Sequence, residues 1–179
     1  MSADNKLPLL RNALKMLVRQ LDGDDRIAMV VYAGASGVVL ESTPGDRHAT
    51  ITAALDRLSA GGPTNGAAGI ELAYAQAQQG YIDGGINRVI LATDGDFNVG
   101  TVDFEALKDL AERKRETGIA ITSLGFGGGN YNDRLMEQLA NAGNGNYAYI
   151  DTLSEARKVL VEEMTSTLLT IAADVKIQI

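Results

Sequence analysis

One short stretch, RVILATDGDFNVG at residues 88–100, constrains the fold more than any other part of the chain. Residues 89–92 form an uninterrupted apolar run, which is typical of a strand buried on both faces of a parallel sheet. The run is followed at once by Asp94, Gly95 and Asp96. In open α/β folds, the carboxyl ends of the parallel strands form the edge where ligands bind. The stretch therefore predicts a buried strand that ends in carboxylates at such an edge.

Length and composition exclude several classes of function. The 179 residues suit a single domain, and 45% of them are hydrophobic, so the chain can form a substantial core. A net charge of −7 argues against nucleic acid or an anionic membrane surface as a partner, because both bind basic faces. The absence of cysteine excludes disulfides and thiol nucleophiles. No apolar run is long enough to span a membrane.

Apolar periodicity predicts strands that alternate with helices. The predicted strands cover residues 27–32, 38–40, 89–92, 119–124, 147–150 and 175–179. The predicted helices cover residues 7–21, a segment opened by Pro44-Gly45-Asp46, residues 65–79 and 102–115, a segment around Met136, and residues 154–169. Such alternation indicates βαβ units. The predicted fold class is α/β, a Rossmann-like, doubly wound, mostly parallel sheet flanked by helices, with one antiparallel edge strand at residues 38–40.

Two residues are the main candidates for binding chemistry. Asp94 either forms a tight turn with Gly95 or contributes a carboxylate to a site for Mg²⁺, Mn²⁺ or Ca²⁺, and Asp96 is a weaker candidate for the same site. Thr64 caps the helix at residues 65–79, and its hydroxyl retains a lone pair with which it can also reach the edge of the sheet. We find no set of residues that would make a catalytic site, since His48 is the only histidine.

Two alternative interpretations of the same motifs remain open. Asp94, Asp96, Asn98 and Glu105 have the spacing of positions 1, 3, 5 and 12 of a calcium loop, although Val99 replaces the glycine of position 6, so the chain could be a calcium-stabilised structural domain. The GFGGG run at residues 125–129 lies where the phosphate-binding loop of a nucleotide-binding enzyme would lie. Its spacing fails the G-x-G-x-x-G pattern, which favours a tight crossover instead.

Three stretches, DDRIAMVVYAG, GGPTNGAAGIELAY and INRVILATDGDFN, together resemble a von Willebrand factor type A domain of the bacterial type that carries a small C-terminal module. The resemblance implies a non-enzymatic, adhesion-type protein-binding domain with a metal-ion-dependent adhesion site (MIDAS). In such a site Thr64 would bind Mg²⁺ directly and Asp94 would bind it through water, while an Asp or Glu of the protein partner completes the coordination. The resemblance also suggests a location in the bacterial cell envelope or periplasm.

The sequence departs from the family at its start. The family's Asp-x-Ser-x-Ser motif is missing, and Met1 stands where the following residue would be. We therefore expect a truncated domain over residues 1–172 that lacks its first, central strand, and a C-terminal extension that begins at residues 173–179. The strands at 27–32 and 89–92 should lack a partner unless they pair directly or a strand-swapped dimer supplies one. Mg²⁺ should bind Thr64 and Asp94 alone weakly or not at all.

Overall fold

The computed structural model describes residues 3, 6–32, 37–61, 66–94, 101–127 and 133–163. The helices are α1 (Leu7–Val18), α2 (His48–Arg57), α3 (Gly66–Gln79), α4 (Thr101–Glu116), α5 (Asp133–Ala142) and α6 (Leu153–Arg157). The strands are β1 (Arg26–Val31), β2 (Gly37–Pro44), β3 (Asn87–Thr93), β4 (Ile119–Phe126) and β5 (Tyr147–Ile150). Helices and strands are interspersed along the chain and include the repeats β3–α4–β4 and β4–α5–β5, which confirms the predicted α/β class. The strand predicted at residues 175–179 lies outside the described residues.

The described strands form two sheets. β3, β4 and β5 pair in parallel with β4 in the centre, and Val89 lies opposite Ile121. β1 and β2 form a separate antiparallel pair, which confirms the predicted antiparallel neighbour, although β2 is longer than residues 38–40. In the described part of the chain, no strand connects β1 to β3. Direct pairing of β1 with β3, one of the possibilities left open by the sequence, is therefore not found among the described residues, and each of these strands has one edge without a described partner strand.

The three-stranded sheet is buried on both faces, as the apolar run in β3 predicted. Val89 and Leu91 point into a core shared with α3, α4 and α5. Ile90 and Ala92 point to the opposite face, where they pack against α1 and α6. Side chains alternate between the two faces of a strand, so a strand covered by helices on both sides must be apolar at every position.

Two helices hold the separate sheets together. α1 packs against the three-stranded sheet through residues that include Leu10 and Ala13, while its last residue, Val18, packs against β2 and α2. α3 contacts β1, β2 and β3. These two helices therefore connect the two sheets, between which the described residues form no backbone ladder.

The last helix differs from the prediction. In its described part, Leu153–Arg157 is α-helical and Lys158–Glu163 continues as a π-helix, while residues 164–169 of the predicted helix lie outside the described residues. Ala156, Val159 and Leu160 are nevertheless buried together against α1. Their spacing suits one face of either helix type, so apolar periodicity could not distinguish the two. None of the described helices is both long and apolar enough to cross a membrane.

Candidate functional site at the carboxyl edge of the sheet

Asp94 follows the last residue of β3 and lies at the carboxyl edge of the parallel sheet. Its side chain is only 13% exposed, and Oδ2 accepts a hydrogen bond from Lys6 Nζ at 3.1 Å. The two residues are 88 positions apart in the chain. The carboxylate thus lies where the sequence placed it, but it forms an ion pair that the sequence analysis did not foresee.

The Asp94 carboxyl has a lowered pKa. Partial burial favours the neutral acid and by itself would raise the pKa, but hydrogen bonds and the charge of nearby ammonium groups, that of Lys6 among them, have the larger effect and lower it. The group is therefore ionised at neutral pH. It offers the negatively charged oxygen that a hard cation, a lysine or an arginine requires.

Lys6 reaches Asp94 across the end of the neighbouring strand. The residue precedes α1, and its aliphatic stem lies against Gly127, directly after β4. A Cβ atom on Gly127 would come within 2.6 Å of Lys6 Cγ, and the backbone there has a φ of +83°, which favours glycine. On the other side, the Tyr149 hydroxyl donates to the Gly127 carbonyl at 2.7 Å. Gly127 thus provides a side-chain-free surface on which Lys6 lies.

The beginning of α3 reaches the same edge. Gly69 packs directly against the Tyr32 side chain, so closely that any Cβ atom on this glycine would overlap Tyr32. The Tyr32 hydroxyl donates to the Ala92 carbonyl at 2.8 Å, two residues before Asp94. Loss of hydration raises the pKa of Tyr32 to about 12, so the hydroxyl remains a donor at neutral pH. Tyr32 therefore connects β1, α3 and the end of β3, although β1 and β3 do not pair with each other in the described part of the fold.

Two of the three predicted site residues, Thr64 and Asp96, lie outside the described residues. Their approach to Asp94 stays a prediction. Thr64 precedes Gly66, the first residue of α3, by two positions. The first turns of α3, around Gly69, lie at the carboxyl edge beside Tyr32.

The described residues of the calcium-loop pattern and of the GFGGG run make contacts other than those that these two motifs would require. Glu105, position 12 of the calcium-loop pattern, is exposed in the first turns of α4 and pairs with Lys108 at 3.7 Å. Gly125, the first glycine of the GFGGG run, is a residue of β4, and Gly127 is covered by Lys6. Neither arrangement favours a calcium loop or a phosphate-binding loop.

The donor chemistry of Asp94 fits a hard divalent cation, since it is an ionised oxygen ligand at the edge of an open sheet. Within the ranges that the structure describes, no three Asp, Glu, His or Cys side chains form a group that could hold a metal ion. Thr64 and Asp96, the other residues predicted for this site, lie outside these ranges. Lys6 is the residue that sequence reasoning missed, and the only signal was its position at a helix start.

Known proteins share both the sequence pattern and the fold of this chain. The sequence profile of the von Willebrand factor type A domain matches residues 1–164. The chain belongs to the von Willebrand factor type A family. This confirms the resemblance inferred from the sequence, and the domain is a protein-interaction fold in which some members carry a MIDAS. Members of the family are generally not enzymes.

Three similar proteins illustrate the relationship. The uncharacterized protein YfbK of Escherichia coli K12 is 52% identical over all 179 residues of this chain, which cover 31% of YfbK. A von Willebrand factor type A structure from Catenulispora acidiphila has a TM-score of 0.74 and 20% identity, over 90% of this chain and 38% of that one. Proximal thread matrix protein 1 of the mussel byssus, with zinc in its MIDAS motif, has a TM-score of 0.67 and 19% identity, over 93% of this chain and 42% of that one. The chain spans about a third of the length of the curated relatives it matches.

Proposed function

We propose that this von Willebrand factor type A domain binds a protein partner through a divalent cation held at the carboxyl edge of its sheet. Asp94 and Thr64 would hold the cation, with Asp96 as a further candidate. The bound ion, Mg²⁺ or Mn²⁺, would supply a positive charge with an open coordination position for an Asp or Glu of the partner. In this proposal the domain performs no catalysis.

The ionised Asp94 carboxylate at the end of β3 is the observation that carries the proposal. Its side chain is 13% exposed, so it retains access to solvent while much of its hydration is already removed. A site with few carboxylates leaves a divalent cation incompletely neutralised, which favours an added carboxylate from another molecule. The similar mussel byssus protein holds zinc in its MIDAS motif, which supports the proposal that this domain also binds a divalent cation.

Manganese binding tests the cation part of the proposal. Free Mn²⁺ is counted by electron paramagnetic resonance in solutions of the wild-type chain, Asp94→Asn and Asp56→Asn. Asp56 provides a matched control because its carboxylate also pairs with a lysine of the α1 region, Lys15, at 2.6 Å. We expect wild type and Asp56→Asn to bind Mn²⁺ equally, although weakly, and Asp94→Asn to lose binding at least about tenfold.

The second part of the test asks whether the bound ion accepts a carboxylate. Added glutamate should displace water from bound Mn²⁺ and lower the water-proton relaxation rate in the wild-type solution. Equal Mn²⁺ binding by wild type and Asp94→Asn would contradict the proposed site. Binding that depends on Asp94 but does not respond to glutamate would contradict the role in recognising an acidic partner.

A further inference from the structure

The Lys6 ammonium lies in an unfavourable place for a positive charge. It belongs to the residue that precedes α1, and the N-terminal end of a helix itself carries a partial positive charge. The first turn of α1 contains no acidic residue that would offset the charge of Lys6. Lys6 is itself the N-cap residue, and its side chain makes no capping bond. The described contact that offsets this cost is the ion pair with Asp94, at the end of β3.

The aliphatic part of the Lys6 side chain is positioned by packing, in addition to the ion pair made by its ammonium group. Its Cγ, Cδ and Cε atoms all lie against the backbone of Gly127, and the whole side chain is only 24% exposed. The other lysine of the α1 region with a partner across the fold, Lys15, pairs with Asp56, whose side chain is 54% exposed. The Lys6–Asp94 pair is therefore the more shielded of the two, and salt and water weaken it less.

We propose that Lys6 is a built-in counter-cation for Asp94, which a divalent cation must displace in order to bind this carboxylate. The inference rests on the proposed function, since it concerns the same cation site. A divalent ion at Asp94 would lie within a few ångströms of the ammonium group, and like charges at that distance repel strongly in a partly buried site. Lys6 thus sets the affinity of the edge for cations and keeps that affinity low.

Substitution of the lysine tests this directly. Lys6→Met retains a long apolar stem on Gly127 but removes the charge, Lys6→Arg retains the charge, and Lys15→Met removes the control charge. All proteins carry an acetylated amino terminus, because the charge of a free terminal ammonium group also lowers the pKa of Asp94. Lys6 is then the named source of positive charge that the variants change. Mn²⁺ affinity is measured by titration calorimetry, and circular dichroism verifies folding. Lys6→Gln replaces Lys6→Met if the methionine variant does not fold.

We expect Lys6→Met to bind Mn²⁺ at least about tenfold more tightly than wild type, while Lys6→Arg and Lys15→Met do not. Addition of Asp94→Asn to Lys6→Met should abolish the gain. Binding that is measurable but equal in wild type and Lys6→Met, or weaker in Lys6→Met, would overturn the role of Lys6 and leave the proposed function intact. If no variant binds Mn²⁺ at millimolar concentration, both the cation site and the inference are wrong.

Discussion

Asp94 and Lys6 form an ion pair 3.1 Å long whose side chains are 13% and 24% exposed. We expect Asp94→Asn to lower the free energy of unfolding by about 1 kcal/mol at neutral pH. The pKa of Asp94 is lowered in the folded chain, so its contribution is present above the unfolded pKa of about 3.9 and is lost as the pH falls through the folded pKa. Urea unfolding of both proteins from about pH 3 to 7 should show curves that converge in acid. Parallel curves over this range would contradict the ion pair.

Tyr32 tests the connection between β1 and β3. Its hydroxyl bonds to the Ala92 carbonyl at 2.8 Å, so Tyr32→Phe should lower the free energy of unfolding by about 1 kcal/mol. Tyr149→Phe is the control, since Tyr149 is 38% exposed as a residue and its bond to Gly127 should contribute less. The raised pKa of about 12 means that the Tyr32 contribution is present below the unfolded pKa of about 10 and is lost as the pH rises towards 12. Equal losses in the two variants would contradict this prediction.

Sequence reasoning found one member of the ion pair and missed the other. Asp94 was predictable because an apolar strand leads directly into it, and strand ends meet at one edge. Lys6 was not, because its partner lies 88 residues away and a lysine near a helix start is usually solvated. The deciding contact, the Lys6 stem on Gly127, exists only after α1 has packed on β4. Thr64 and Asp96 remain predictions.

At the scale of elements, the close approach of Gly69 in α3 to Tyr32, the residue after β1, positions α3 at the carboxyl edge of the parallel sheet. Gly69→Ala would place a methyl group into the Tyr32 side chain, although alanine favours a helix more than glycine does. We expect the steric cost to exceed the gain and to lower the free energy of unfolding by about 2 kcal/mol. Glu71→Ala, at an exposed position of α3, should change it by less than about 0.5 kcal/mol. A stabilised Gly69→Ala protein would show that α3 is free to move away from β1.

The division into two sheets predicts uneven protection of backbone amides. β4 has hydrogen-bonded neighbours on both sides, whereas β1 pairs only with β2 in the described part of the fold. Native-state hydrogen exchange should therefore be slowest in β4 and measurably faster in β1. Equal protection of β1 and β4 in the chain as it stands would indicate that another segment or a second copy completes the sheet.

Most elements were predictable because their patterns are strong. The continuous apolar run of β3 and the mostly apolar start of β4 predict buried strands, and Phe104 and Leu107 face inward from α4 as helical spacing requires. The length of β2 was not predictable, since its second half, residues 41–44, is not apolar. The π-helical continuation of α6 was missed because both helix types bury the same residues.

At the scale of the whole molecule, the fold brings the ends of β1 and β3, the beginning of α1 and the first turns of α3 to one edge. The helices α1 and α3 contact both sheets, and the Tyr32 side chain after β1 bonds to Ala92 near the carboxyl end of β3. The identity of the proposed partner was not predictable from the sequence, because recognition through a bound cation would require only one acidic residue of that partner.

Paramagnetic broadening of amide resonances by Mn²⁺ is the most direct test of the cation site. The effect falls steeply with distance from the ion, so it locates a weakly bound cation on the folded wild-type chain. We predict that broadening centres on the amides around Asp94 and the first turn of α3, and that Asp94→Asn and Thr64→Ala each abolish it. Broadening that centres on exposed carboxylates such as Asp56, or that survives both substitutions, would contradict the account.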